Sequence, residues 1–138
     1  MVKAGEIYYD PQYVYPSGNM EDKLLIVLRE TNSPNDPVIL LPVTTNKGNQ
    51  HYKDGCNKSK YIFYLRANED FFVNNTIVQL HILNGITPPS QSNFDKLIIR
   101  KSIQYKGKLR AETIYKLIEC LQSMEMDIDS DIFRLIFS

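Results

Sequence analysis

The stretch from Leu24 to Val43 constrains the fold more than any other part of this chain. Residues 24–30 (LLIVLRE) and 37–43 (PVILLPV) are two apolar, β-rich runs, separated by TNSPND, a cluster of turn formers. They predict an antiparallel pair of strands. With Glu30 set opposite Pro37, Lys23 falls opposite Thr44, where both strands leave the sheet. Directly opposed residues hold their Cβ atoms about 5 Å apart. A cation and a hydroxyl would meet there, beside a loop at each end, in an arrangement suited to a phosphate.

The remaining pattern is read around that pair. Gly5–Tyr9 predicts a short first strand, and Asp10–Asp22 a loop broken by Pro11, Pro16, Ser17, Gly18 and Asn19. A long polar loop is expected from Asn46 to Ser59. Tyr61–Leu65 and Thr76–Leu83 read as strands, the second buried on both faces and stopped by Pro88 and Pro89. Lys96–Ile103 reads as the last strand. In Leu109–Met124 the apolar positions Ile114, Leu117, Ile118 and Leu121 change to helical spacing. A second, short helix is expected after Asp129, capped by it and stapled by Ile128 and Phe133. The apolar end, Asp127–Ser138, should pack on the body of the protein or across a dimer interface. Short strands followed by helices predict a mainly β fold, a small bent barrel with C-terminal helices. The 138 residues suit one domain, with the barrel over about 1–104 and the helical segment over about 109–138.

Several function classes drop out on composition. No apolar run approaches the ~20 residues of a membrane span, and no signal-peptide core is expected at the N-terminus. Two histidines and two cysteines give no metal-ligand spacing. The cysteines, Cys56 and Cys120, are too few for a disulfide scaffold, so reduced thiols in a cytoplasmic setting are expected. Net charge is zero but unevenly spread. Residues 95–110 and 46–60 are basic and 111–138 acidic, so either basic segment is a solvated surface or a polyanion contact.

Four stretches resemble one family. Lys3-Ala4-Gly5-Glu6-Ile7-Tyr8 is similar to its opening, and Lys23–Leu28 to its second strand. Pro37–Thr45 is similar to its third strand, which ends in threonine and a small polar residue, and Asn75–Leu80 to its late buried strand. The helix from Leu109 matches its C-terminal helix in position. The chain thus resembles the MazF/PemK/Kid-like toxins, endoribonucleases of toxin–antitoxin systems. The resemblance implies a cytoplasmic, dimeric SH3-like barrel that cuts single-stranded RNA by 2′-hydroxyl attack without cofactor or metal. It also implies a protein antitoxin as partner. The family assigns the central work to an arginine opening the second strand and a threonine ending the third. Thr44 matches the threonine, and Lys23 stands where the family has arginine. Lysine offers one mobile charge in place of a planar fork. The alternative is therefore a weakly active or inactive barrel that binds RNA or a protein such as gyrase.

Other candidates surround the pair. Thr45 could contact substrate, or its hydroxyl could bond its own backbone. Lys47 and Lys53 could hold backbone phosphates. Tyr13 and Tyr15 could stack bases or meet a protein partner. Arg29 shares the strand face of Lys23 but lies about 20 Å along it. His51 is expected in solvent, with a helper acid–base role as its functional reading, and His81 in the core or an interface. Lysines near Cys56 would favour its thiolate.

Overall fold

The structure is a computed structural model that describes residues 1–48 and 50–137. It is mainly β. Seven strands form one antiparallel sheet: β1 (Glu6–Val14), β2 (Met20–Val27), β3 (Leu40–Thr45), β4 (Gly55–Asn57), β5 (Ile62–Leu65), β6 (Thr76–Gln79) and β7 (Gln104–Lys108). Their spatial order is β4-β5-β6-β3-β2-β1-β7, so β4 and β7 are the edges of an open ladder. Three α-helices complete the fold among the described residues: α1 (Gln91–Lys101), α2 (Ala111–Gln122) and α3 (Ser130–Phe137).

The β2–β3 register is the expected one. Leu24 pairs with Val43, Leu25 with Pro42, Ile26 with Leu41 and Val27 with Leu40, and the Leu28 amide donates to the Ile39 carbonyl at 2.9 Å. The strands are displaced from the expected spans, because the pairing runs further toward Lys23 and Thr44 and stops short of the turn.

The sheet carries apolar groups on both faces. Ile7, Ile26, Leu41, Val43 and Val78 pack with Leu117 and Leu121 of α2 and with Ile132 and Ile136 of α3. The apolar C-terminus thus lies on its own domain. Asp129 caps α3 as expected: its Oδ1 accepts from the amides of Asp131 (3.0 Å) and Ile132 (3.2 Å). The opposite face sets Val27 and Val38 against Phe94 of α1 and Ile103, with Tyr8 beside them.

Five expectations are corrected. The loop expected from Asn46 to Ser59 is interrupted by β4, which pairs with β5, and by a 3₁₀ turn from Lys58. Residues 96–101 are helical, not a strand. Ser90 caps α1 by accepting from the Asn93 amide at 3.1 Å, and Ser102 ends it in the left-handed region at φ 56°. The last strand is instead β7, which follows that turn. The loop expected from Asp10 to Asp22 is mostly strand, because β1 runs on to Val14 through a bulge at Pro11–Gln12. The strand from Thr76 stops at Gln79 and tightens into a 3₁₀ turn, Leu80–Asn84, which leaves His81 exposed rather than in the core. Finally, the cysteines are not reduced thiols. Cys56 of β4 and Cys120 of α2, 64 positions apart, form a disulfide across a Cα separation of 5.5 Å. Cys56 is therefore not a thiolate.

Candidate functional site

Lys23 and Thr44 come together through the ladder. Pairing ends at Leu24–Val43, and the same register sets Lys23 opposite Thr44 one position further on. Lys23 is paired on its other side with Asp10, and Thr44 with Ile77. Directly opposed residues share a face, so Asp10, Lys23, Thr44 and Ile77 form a row across four strands.

The bulge shapes this row. Asp10 pairs with Lys23, yet Tyr13 pairs with Glu21, one position out of step. Without the bulge, Asp10 and Tyr13 would face opposite ways. The extra residue turns Tyr13 onto the face that Asp10 shares with Lys23. Proline suits this site because a bulged position needs no ladder donor. Tyr15 follows at the hairpin turn. Its ring lies 5.0 Å from that of Tyr13, edge to face, and its hydroxyl donates to Gln79 Oε1 at 3.0 Å. The Lys23 ammonium lies 6.0 Å from the centre of the Tyr15 ring, at the outer range of a cation–π contact.

A cleft of about 480 Å³ opens at these strand ends, lined among others by Glu21, Lys23, Thr44, Thr45 and Lys47. It straddles the end of the sheet. Lys23 and Thr44 belong to one face, while Tyr9, Leu24, Val43 and Thr45 alternate to the other. The cleft is mixed in sign, with Glu21 and Asp22 beside the two lysines. Asp22 Oδ2 accepts from the Tyr9 hydroxyl at 3.2 Å, and the Lys106 ammonium sits 5.8 Å over the Tyr9 ring.

Not every candidate joins this cleft. Lys53 lines a neighbouring polar cavity of about 530 Å³ with His51, Tyr52 and Arg66. Tyr13 lines a smaller apolar cavity of about 190 Å³ against Pro16, Leu40 and Pro88. Burial pushes its phenol up to about 12, with the Tyr15 and Asp10 groups adding to the shift. Arg29 is turned elsewhere, donating to the Leu135 carbonyl of α3.

Sequence reasoning missed Glu21, Asp22, Tyr9 and the ion pair between Asp10 and Lys101. The period of two carried a signal for Glu21, which shares the strand face of Lys23. Asp10 carried none, because residues 10–22 read as a loop, with no strand period to carry the pairing past Tyr9. Comparisons of the chain with protein-family models, with curated proteins and with solved structures give no match.

Proposed function

We propose that this protein is a metal-independent endoribonuclease that cuts single-stranded RNA, with Lys23 and Thr44 at the reacting phosphate. The observation that carries the reading is the β2–β3 register, which sets Lys23 opposite Thr44 on one face, both lining a cleft. The resemblance to MazF/PemK-like toxins supplies the reaction. The ribose 2′-oxygen bonds to the adjacent phosphorus as the bond to the 5′-oxygen breaks. The products are a 2′,3′-cyclic phosphate and a 5′-hydroxyl.

The side chains can divide this work. The Thr44 hydroxyl donates to a phosphoryl oxygen, and the Lys23 ammonium offsets the charge that builds there. Lys23 also delivers the proton to the departing 5′-oxygen. Glu21, on the same strand face, accepts the proton of the 2′-hydroxyl. Lys47 and Thr45 hold the neighbouring backbone, and Tyr15, beside the Lys23 ammonium, offers its ring to an unstacked base.

The finer architecture belongs to the same reading. The chain leaves β7 into α2, and Cys120 near the end of α2 is bonded to β4. One helix thus ties the two sheet edges together, which supports a sheet curled into a small SH3-like barrel. A second copy and a protein antitoxin are the partners this reading implies. RNA as substrate sets the work in the cytoplasm, where thiols are usually reduced. Burial would shield the disulfide there: Cys120 is 3% exposed and Cys56 is half-buried.

The test is incubation of the purified protein with long single-stranded RNA in EDTA, with both new ends mapped. Discrete cuts bearing cyclic-phosphate ends are expected. Absence of cutting in any sequence would remove the enzymatic reading. One observation favours a binding-only barrel, namely Glu21 and Asp22 beside Lys23, which weaken the positive field of the cleft. In that case RNA or protein is held and left intact.

A further inference from the structure

A second polar cavity lies beside the Lys23–Thr44 cleft. The two cavities share a thin wall. Thr45 and Lys47 line the first and Asn46 the second, while Thr76 lines the first and Asn75 the second. The wall is paired backbone: Thr45 pairs with Thr76 and the Asn46 amide donates to the Asn75 carbonyl at 2.9 Å. At about 530 Å³ the second cavity falls in the size range of small-ligand sites.

Its chemistry differs from that of the first. The Asn46 side chain donates through Nδ2 to the Gln50 carbonyl at 3.2 Å, and Asn75 Oδ1 accepts from the Ala67 amide at 2.8 Å. Each amide is thereby fixed by one end. Asn46 Oδ1 and Asn75 Nδ2 have no partner among the described residues. One acceptor and one donor are thus held on the shared wall, and an unpaired nucleobase edge presents the matching groups. Arg66 is engaged by Asp54 at 2.8 Å, whereas Lys53 stands exposed at the cavity. We infer that this cavity takes the nucleotide next to the cleaved phosphate, with Asn75 and Asn46 reading its base and Lys53 meeting its phosphate. The inference rests on the RNA-cleaving reading above and adds the source of base preference to it.

Asn75→Asp provides the test. It keeps the oxygen that the Ala67 amide needs and replaces the free donor with an acceptor. Labelled single-stranded oligoribonucleotides, 2′-O-methylated throughout so that none can be cut, are titrated by fluorescence anisotropy with each base at each position. The wild type should show a base preference at one position, and Asn75→Asp should change it by about tenfold, the weight of one hydrogen bond to a base edge. Asn46→Ala should alter preference at the same position. Lys53→Ala should reduce the slope of log affinity against log salt by about 0.7. If the wild type binds RNA and Asn75→Asp weakens all bases equally, the added charge acts alone and the subsite is refuted, while the cleavage reading stands. An unchanged profile refutes it in the same way. If the wild type binds none of the oligonucleotides, the underlying reading falls and the subsite with it.

Discussion

Asp10 carries a carboxylate into the protein with 3% of the residue exposed, and Lys101 from the end of α1 meets it at 2.9 Å. Its other oxygen accepts from the Gln12 amide at 2.8 Å. This pair anchors the row that holds Lys23. Removing one partner of such a buried pair leaves a charge without its counter-ion, which costs about 3 kcal/mol. Lys101→Met should therefore lower stability by about that much in urea unfolding, and adding Asp10→Asn should recover part of it. A loss of under about 0.5 kcal/mol would mean that the pair behaves as a surface ion pair. The tyrosines give a second residue-scale outcome. Burial, joined by Glu6, pushes Tyr8 up to about 12, and burial also pushes Tyr13 up to about 12 from an ordinary 10.0. Both pKa values are raised in the folded state, so their contribution is whole below pH 10 and is lost as pH rises from about 10 to about 12. Tyrosinate absorbance should show these phenols ionising late and together with loss of structure. Ionisation of every tyrosine near pH 10 in a folded protein would contradict this.

Among the elements, β4 is the weakest by length and the most strongly tethered. Three residues pair it to β5, and the Cys56–Cys120 bond fixes it to α2. Closing 64 positions of chain restricts the unfolded state by about 4 kcal/mol on chain-entropy grounds. Reduction, or Cys56→Ser with Cys120→Ser, should lower stability by about that amount and speed hydrogen exchange in 55–57 first. Equal stability of the oxidised and reduced protein would count against the bond. The elements also show what the sequence could and could not carry. The spacing of Ile114, Leu117, Ile118 and Leu121 was legible as α2, and Asp129 as the cap of α3, because both are local signals. Lys96–Ile103 misled because its apolar residues, Leu97, Ile98 and Ile99, run together as in a buried strand. The features that make it helical are the caps, Ser90 and Ser102. The disulfide was not legible, since two cysteines 64 positions apart meet only once β4 and α2 are placed.

At the scale of the whole molecule, the site is a product of registers. The β2–β3 register was readable from two apolar runs and a turn, and it places Lys23 opposite Thr44 as expected. The β1–β2 register beyond Asp10 was not, because the bulge at Pro11–Gln12 leaves no periodic trace and decides where Tyr13 faces relative to Asp10. Lys53 was expected beside Lys23 but lines the neighbouring cavity across the Asn46–Asn75 wall, because it leads into β4, which pairs with β5 at the far edge of the sheet. The central claim is that Lys23 and Thr44 act on one phosphate. The most direct measurement is the single-turnover rate of RNA cleavage in EDTA for the wild type, Thr44→Ala, Lys23→Ala and Lys23→Arg, each checked for an unchanged fold. Thr44→Ala and Lys23→Ala should each slow cleavage by about 10²-fold or more, as loss of a group that stabilises developing charge does. Lys23→Arg should retain or raise the rate, since it keeps the charge and adds a fork for phosphate oxygens. Cleavage that persists at the wild-type rate in both alanine variants would contradict the account.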